Sequence, residues 1–204
     1  MNKPRLWYGY DPMCSWCWAF RPALAELEAA LAALDVQLTP ILGGLAPDSD
    51  QPMAEAMAQH LQQIWRHIQG QLGTEFNFAF WQDCQPRRST YPACRAALLA
   101  RDQGLEAQMT LAIQKAYYLE AKNPSDTEVL AALAAALGMD KGAFIGALDS
   151  EATRQRLLAE IAKARHLGIS GFPSLILESH GVFTPIAVDH RAAGPMLAAI
   201  RQQL

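Results

Sequence analysis

The sequence predicts an α/β fold in which a β-α-β unit and a later β-β-α unit enclose a large all-helical insertion. Strand-like runs rich in aromatic and β-branched residues occur near the two ends of the chain, whereas apolar residues at helical spacing fill the middle. A third observation concerns Cys14 and Cys17, which lie where the first strand-like run gives way to the first helical run. The candidate chemistry is therefore expected at a strand-to-helix junction.

The first unit begins with "RLWYGY" at 5–10, an aromatic run that stops at Asp11 and Pro12, as a short strand does. Leucines then recur at helical spacing as far as Asp35, and they predict an amphipathic helix that starts at the cysteines. The stretch "VQLTPILGGL" at 36–45 predicts a second strand. Because a strand-helix-strand connection is right-handed and parallel, we expect these two strands to be parallel.

The last unit combines a hairpin and a helix. The stretches "PSLILES" at 173–179 and "VFTPIAV" at 182–188 predict two strands around a turn at His180 and Gly181. The stretch "GPMLAAIRQQL" then predicts a final helix with Pro195 in its first turn. This unit brings the expected number of strands in the sheet to four.

The block between these units has helical spacing almost throughout. The predicted helical segments are 51–72, 92–104, 105–121, 126–138 and 150–167. The stretch "FNFAF" at 76–80 alternates, which predicts either a strand or an extended segment folded over the core. These patterns predict a sheet-containing domain formed by residues 1–46 and 168–204, and a helical insertion subdomain formed by residues 47–167.

Composition excludes several classes of function. The 204 residues carry a formal net charge of -3, and the lysines and arginines are scattered, so we expect no nucleic acid and no membrane as partner. The N-terminal stretch lacks the apolar core of a signal peptide, and no apolar run reaches the about 20 residues of a membrane-spanning helix. We therefore predict a cytoplasmic protein, in which cysteines serve catalysis or metal binding more often than structural disulfides.

The motif "CSWC" at 14–17 gains its meaning from its position, because four cysteines give a CxxC pair by chance fairly often. The N terminus of a helix favours an anion, and thus a thiolate. The helical pattern directs Cys17 toward the apolar face and leaves Cys14 outside the first regular turn. We predict that Cys14 is the exposed attacking thiolate and Cys17 the sheltered resolving thiol, with Ser15 and Trp16 tuning the redox potential and contacting substrate.

A second motif, "GISGFPSLIL", places Pro173 at the start of an apolar strand, where the bond after Phe172 is a candidate for the cis form. With the CxxC pair and the strand order, this motif resembles the DsbA-like branch of the thioredoxin superfamily along the whole chain. The FrnE-type and related cytoplasmic members are especially similar. The resemblance implies a thioredoxin-like fold, a cis Pro173 opposite Cys14, and main-chain groups of Phe172 that bind an extended substrate by strand addition.

The resemblance also implies an activity, that of a protein-disulfide oxidoreductase or isomerase acting on disulfide-containing proteins or a small thiol. Ser15 and Trp16 replace the Pro-His of strongly oxidising members, and a glutathione-buffered compartment favours reduction or isomerisation of substrates. The redox-active cysteine pair is then the only cofactor that the activity requires.

An alternative activity comes from a related branch, the kappa-class glutathione transferases and 2-hydroxychromene-2-carboxylate isomerases. Members of this branch carry serine where this chain has Cys14, yet "STYPACRAALLA" at 89–100 resembles one of their glutathione-contacting segments. A glutathione-dependent transferase or isomerase is therefore the second hypothesis, and glutathione is a candidate ligand.

Cys84 and Cys94 allow three interpretations. They could complete a zinc site with the CxxC pair in a zinc-stabilised binding module, although nine intervening residues fit usual zinc modules poorly. They could form a second redox pair. They could also be two small buried residues, which is the favoured interpretation, and we predict no metal site.

Several other residues near the motifs also have two interpretations. Asp11 could relay a proton to Cys17, but a turn residue before proline is the favoured interpretation. Trp16 could line a substrate groove or belong to the core, whereas Trp18 is expected in the core. Tyr117 is assigned to the core of the insertion together with Met109, Ile113 and Tyr118. Surface positions are expected for His60, His67, His166, His180 and His190.

Overall fold

The computed structural model describes residues 3–204, and its helices and strands follow the predicted order. In chain order they are β1 (Arg5–Tyr10), α1 (Ser15–Leu31), β2 (Gln37–Leu42), α2 (Glu55–Leu72), α3 (Phe80–Asp83), α4 (Tyr91–Arg101), α5 (Glu106–Tyr118), α6 (Thr127–Ala136), α7 (Lys141–Leu148), α8 (Glu151–His166), β3 (Ser174–Ser179), β4 (Val182–Ile186) and α9 (Gly194–Arg201). A short 3-10 helix, Ala32–Leu34, follows α1.

The sheet has the strand order β2-β1-β3-β4. Strands β1 and β2 are parallel, with Trp7 opposite Thr39, while β1 with β3 and β3 with β4 are antiparallel. The turn between β3 and β4 consists of His180 and Gly181, which both have positive φ, as the common two-residue hairpin turns require. The predicted α/β fold, with β-α-β followed by β-β-α around a helical insertion, is confirmed.

The two faces of β1 contact different helices because side chains alternate along a strand. Trp7 packs in a cluster with Ile176 of β3 and Ala164 of α8. On the opposite face the rings of Tyr8 and Tyr10 stack at 5.3 Å, and Tyr8 contacts the ring of Phe20 in α1. The buried central strand β1 thus leads directly into α1, which fixes the position of the cysteine motif.

The chain forms two compact units, one consisting of the residues up to Gly43 with Glu160–Leu204, the other Gly44–Ala159. The predicted domain boundaries, after residues 46 and 167, differ from the observed ones, which follow Gly43 and Ala159. The difference is larger at the second boundary, which lies within α8. The C-terminal part of α8 belongs to the sheet-containing unit because the Leu42 amide donates a hydrogen bond of 2.7 Å to the Glu160 carboxylate. Helical spacing alone does not reveal this partner.

An aromatic cluster around Trp65 of α2 forms the centre of the helical unit. Its ring lies 5.1 Å from that of Phe76 and 5.3 Å from that of Tyr118, and the predicted core residues of α5 are all buried. The interpretation of 76–80 as a strand is wrong. Residues 76 and 77 have no regular secondary structure, 78 and 79 form a turn, and Phe80 begins α3. The Asn77 amide donates to the Tyr118 carbonyl at the end of α5 at 2.6 Å. The alternative, an extended segment over the core, is correct in its burial, since Phe76 and Phe80 are buried, but not in its conformation.

Helix α7 is not among the predicted helices, because its eight residues include Gly142 and Gly146, poor helix formers. Its start is stabilised by Asp140, whose carboxylate accepts the Ala143 amide at 2.6 Å. Phe144 and Leu148 are buried, so packing stabilises this helix where propensity does not. Across residues 3–204, no helix combines the length and apolar character needed to cross a membrane.

Candidate active site

Cys14 is the residue that caps the N terminus of α1. Its amide donates to the Asp11 carbonyl at 3.0 Å, and its own carbonyl accepts the Trp18 amide at 3.0 Å. Asp11 Oδ1 accepts the Met13 amide at 2.8 Å, which closes the turn between β1 and α1. The predicted helix start at the cysteines and the turn interpretation of Asp11 are both confirmed. The N terminus of α1, a helix of 17 residues, therefore lies beside Cys14, and this end of a helix favours negative charge.

The thiol of Cys14 lies against the segment that precedes β3. Its Sγ is 3.4 Å from the carbonyl oxygen of Phe172, to which it donates a hydrogen bond. The peptide bond between Phe172 and Pro173 is cis, as predicted. The fold thus brings together two motifs that are more than 150 residues apart in sequence.

Cys14 is much less accessible than the sequence predicts. The residue is 5% exposed, and Cys17 is fully buried. The prediction of an exposed attacking sulfur is wrong, because the turn at Asp11 is itself buried and the Phe172 segment covers the thiol. The predicted order, with Cys17 the more sheltered of the two, is confirmed. Ser15 is also buried, and the remaining predicted site residues are half-buried, namely Trp16, Phe172 and Pro173.

Burial raises the pKa of the Cys17 thiol well above its usual value. The pKa is raised further because the thiol hydrogen-bonds to Cys14 and because negative charge on Cys14 disfavours a second charge nearby. Asp11 acts in both directions, since a main-chain hydrogen bond lowers the pKa of Cys17 and the carboxylate charge raises it. Both cysteines are free thiols in the structure, and Cys17 stays neutral at neutral pH.

His190 belongs to the site, although its sequence context gives no sign of this. Its ring lies edge-on to Trp16 at 5.1 Å and to Phe20 at 5.5 Å. Its Nε2 is buried and has no hydrogen-bond partner within the described part of the chain. Burial lowers the pKa of His190, although a hydrogen bond with the Trp16 main chain and the charge of Asp189 oppose this. The surface prediction is therefore wrong for His190, and the other four histidines are exposed.

Tyr8 of β1 is a second residue that motif reasoning misses. Tyr8 is buried. Burial raises the pKa of Tyr8 well above its usual value, and the nearby sulfurs of Cys17 and Cys14 raise it further. The strand period gives the only sequence signal, because it places Tyr8 and Tyr10 on the face of β1 opposite Trp7.

A family comparison decides how this geometry is classified. The family model of the DSBA-like thioredoxin domain matches residues 8–190, a range that includes both cysteines, Pro173 and His190. This chain belongs to the DSBA-like thioredoxin domain family. The resemblance stated from the sequence is confirmed, and so is the thioredoxin-like fold.

Several solved structures are similar to this DSBA-like chain over nearly its full length. One is a candidate protein disulfide isomerase from Nitrosomonas europaea, with 28% identity, a TM-score of 0.83 and 99% of each chain covered. Another is the cytosolic disulfide reductase DsbM from Pseudomonas aeruginosa, with 28% identity, a TM-score of 0.77 and 98% of each chain covered. A 2-hydroxychromene-2-carboxylate isomerase, with 13% identity, a TM-score of 0.62 and 98% and 94% coverage, shares the fold alone. No curated protein sequence matches the chain.

The other two cysteines of the DSBA-like chain lie in the helical unit. Cys94 is fully buried in α4, which confirms its interpretation as a small buried residue. Cys84 is half-buried and donates a hydrogen bond of 3.0 Å to the Ala121 carbonyl. Both are free thiols, and within residues 3–204 no group of three or more His, Cys, Asp or Glu side chains is placed to hold a metal ion.

Proposed function

We propose that this chain is a thiol-disulfide oxidoreductase in which Cys14 is the nucleophile and Cys17 the resolving thiol. The observation that carries the proposal is the contact of 3.4 Å between Cys14 Sγ and the Phe172 carbonyl at the N terminus of α1. A helix N terminus stabilises the thiolate form of a cysteine. Cys17, one helical turn further, is buried and neutral, so it does not compete for the first attack.

The reaction proceeds in two exchange steps. The Cys14 thiolate attacks a substrate disulfide, forming a mixed disulfide and releasing one substrate sulfur as a thiolate that takes up a proton. Cys17 then loses its proton and attacks Cys14 Sγ, which breaks the mixed disulfide and releases the second substrate thiol. The substrate gains two electrons and the chain gains the Cys14–Cys17 disulfide, which an external thiol reduces again.

The substrate of this reaction is proposed to be an extended segment of a disulfide-containing protein, bound through its main chain. In the dithiol form the Phe172 carbonyl accepts a hydrogen bond from the Cys14 thiol. Once Cys14 enters a mixed disulfide, its S–H is lost and this carbonyl can accept an N–H of the substrate instead. Ser15 and Trp16 follow Cys14 in sequence and Pro173 follows Phe172, and all three are proposed to contact the substrate. Main-chain recognition of this kind tolerates varied sequences.

We further propose that the chain works as a cytoplasmic reductase or isomerase and uses glutathione as a small thiol partner. The similar protein DsbM is a cytosolic disulfide reductase. Its structure with glutathione has 26% identity to this chain, a TM-score of 0.74 and 98% of each chain covered. In a compartment with a reducing glutathione poise, couples of this kind rest as the dithiol.

The decisive experiment measures insulin-disulfide reduction with single cysteine variants. Cys14→Ser is expected to abolish the activity, whereas Cys17→Ser is expected to accumulate a mixed disulfide that a nonreducing gel and mass spectrometry detect. Cys84→Ser serves as the matched control, because this half-buried thiol lies in the helical unit, and it should keep full activity. Full activity of both Cys14→Ser and Cys17→Ser would refute the proposal.

A glutathione-dependent transferase or isomerase is the second candidate. The observation that favours it is the similarity to DsbM, a protein whose structure has been solved with glutathione. In that function Cys14 would hold a thiol ligand without turning over its own disulfide. Retention of glutathione-conjugating activity by Cys17→Ser, combined with failure of the wild type to reduce insulin, would favour this candidate over the first.

A further inference from the structure

We propose that His190 is a positioning residue, and that its ring holds the half-buried indole of Trp16 as an apolar wall of the substrate site near Cys14. The inference rests on the proposed function and deepens it, because it gives the site a preference among substrates. Disulfides with an apolar side chain beside the cysteine are expected to react faster than those with a polar one.

The ring of His190 contacts two aromatic rings of α1. Its centroid lies 5.1 Å from that of Trp16 at an interplanar angle of 68°, and 5.5 Å from that of Phe20 at 66°. Trp16 and Phe20 are four residues apart in the helix, so they lie on one face and a single ring can contact both. Edge-on contacts at such distances are favourable for aromatic rings.

The two rings that His190 contacts differ in exposure. Phe20 is fully buried, whereas Trp16 is half-buried at the second position of α1, two residues after Cys14. Its main chain is therefore within the first turn beyond Cys14. Close packing leaves a core ring such as Phe20 one arrangement. Phe20 thus fixes the position of His190, and His190 in turn restricts the indole nearer the surface.

The loop between β4 and α9 fixes the main chain around His190. Asp189 Oδ1 accepts hydrogen bonds from two main-chain amides of the loop, at 2.8 and 3.1 Å, and so forms a local turn. The Ala193 amide then donates to Glu26 Oε2 of α1 at 3.4 Å. The loop is therefore attached to the same helix that carries the indole.

The imidazole of His190 acts as a packing group rather than as an acid or a base. Its Nε2 is buried and has no hydrogen-bond partner among residues 3–204, so a proton on this nitrogen would find no acceptor there. Burial lowers the pKa of His190, which agrees with a neutral ring at neutral pH. An apolar aromatic ring should therefore be able to replace it.

The test measures the first exchange step in a Cys17→Ser parent, in which the mixed disulfide is not resolved. Each of two probes is a symmetrical disulfide of a short peptide, with phenylalanine or serine directly before its cysteine. The Cys14 thiolate attacks the probe, a Cys14–peptide disulfide forms as the probe disulfide breaks, and the other peptide copy leaves as a thiolate. Mass spectrometry after an acid quench gives the rate for each probe.

The ratio of the two rates separates positioning from stability, because a smaller folded fraction slows both probes equally. His190→Ala should lower the preference for the phenylalanine probe by about fivefold, the factor expected for loss of one edge-on aromatic contact. His190→Phe keeps an aromatic ring and should retain the preference. His166→Ala is the matched control, because His166 is exposed at the end of α8, and it should behave as the parent. Thermal unfolding verifies that each variant is folded.

Trp16→Ala shows whether His190 acts through the indole. This substitution should remove the preference, and His190→Ala added to it should cause no further loss. The inference would be overturned by a parent without the preference, or by a change of less than about twofold in His190→Ala. An equal loss on His190→Ala with and without the indole would overturn it as well.

The two proposals fail in different ways. If the Cys17→Ser parent forms no mixed disulfide with either probe, the proposed function is wrong and the inference falls with it. If it reacts with both probes and the preference does not depend on His190, only the inference is wrong.

Discussion

Gly43 lies so close to the ring of Phe172 that a Cβ added to it would be 1.8 Å from two ring carbons. The Gly43 amide also donates to the Tyr10 carbonyl at 2.9 Å, which fixes the glycine at the end of the β1 and β2 pairing. The missing side chain therefore lets Phe172 take the position from which its carbonyl contacts Cys14.

Gly43→Ala should reduce disulfide-reductase activity without removing either cysteine. The methyl group cannot fit beside the Phe172 ring, so the ring and its carbonyl must move away from Cys14. We expect a cost of about 1–3 kcal/mol in the free energy of unfolding, as for other overpacked sites. Urea unfolding and insulin reduction measure the two effects. Gly171→Ala is the control, because a Cβ there meets nothing within 4 Å, and equal loss in both variants would contradict the prediction.

The stability of the reduced protein should fall at alkaline pH because of Cys17. Its folded-state pKa is raised above the unfolded value, so the folded state holds the proton more tightly. That contribution is complete below about pH 8.5 and is lost as pH rises toward the raised pKa, by up to about 1.4 kcal/mol per pH unit. Urea unfolding under reducing conditions at about pH 7.5 and 9.5 measures the loss. Cys17→Ala should show a smaller pH dependence, and an unchanged slope would refute the assignment.

Arg95 of α4 should be far more important for stability than a comparable surface arginine. Its side chain is 1% exposed, donates to the Leu148 carbonyl at 2.7 Å, and pairs with Asp48 and Asp149. Arg95→Met leaves that carbonyl and the two carboxylates without this donor, so we expect a loss of about 3 kcal/mol in the free energy of unfolding.

The control for Arg95 is Arg156→Met, since Arg156 pairs with Asp102 where both side chains are nearly half exposed. This variant should lose less than about 1 kcal/mol. Denaturant unfolding measures the free energy of unfolding of both variants. Similar losses would show that the burial of Arg95 does not determine how much it stabilises the fold.

His190 should stabilise Trp16 through its ring rather than through charge. His190→Ala removes the edge-on contact at 5.1 Å and should cost about 1–2 kcal/mol, whereas His190→Phe should keep most of it. Because the pKa of His190 is lowered, its stabilising contribution is present above the unfolded pKa of about 6.5 and decreases as pH falls below it. Urea unfolding at neutral and mildly acidic pH should therefore show that acid destabilises the wild type more than His190→Phe, and parallel behaviour would contradict this.

The elements that could be predicted from the sequence are those with local signals. The aromatic run of β1, the stop at Asp11 and the helical spacing after Cys14 lie within a few residues of one another, and each favours the same structure. The motif around Pro173 was recognisable for the same reason. These signals locate the cysteine pair, the first helix and the segment before β3 with which Cys14 makes contact.

The features that escaped prediction depend on contacts between distant segments. The burial of Cys14 comes from Phe172, and the position of His190 comes from the return of the chain to α1 after β4. Tyr8 is assigned to the core by any pattern rule, and only the fold shows that its pKa responds to Cys17 and Cys14. Packing stabilises helix α7, although its residues have a low helix propensity.

The small exposed fraction of Cys14, 5% of the residue, has a consequence for how the protein behaves among many other thiols and disulfides. Most random collisions with the surface of the protein do not touch this sulfur, so bystander disulfides and electrophiles react slowly with it. Under the proposed function, a partner bound along the Phe172 segment would be held long enough to reach the sulfur. The rate at which Cys14 reacts therefore depends on how often a partner reaches its sulfur as well as on the reactivity of the thiol itself. Partners are thus selected by their shape before any bond is exchanged.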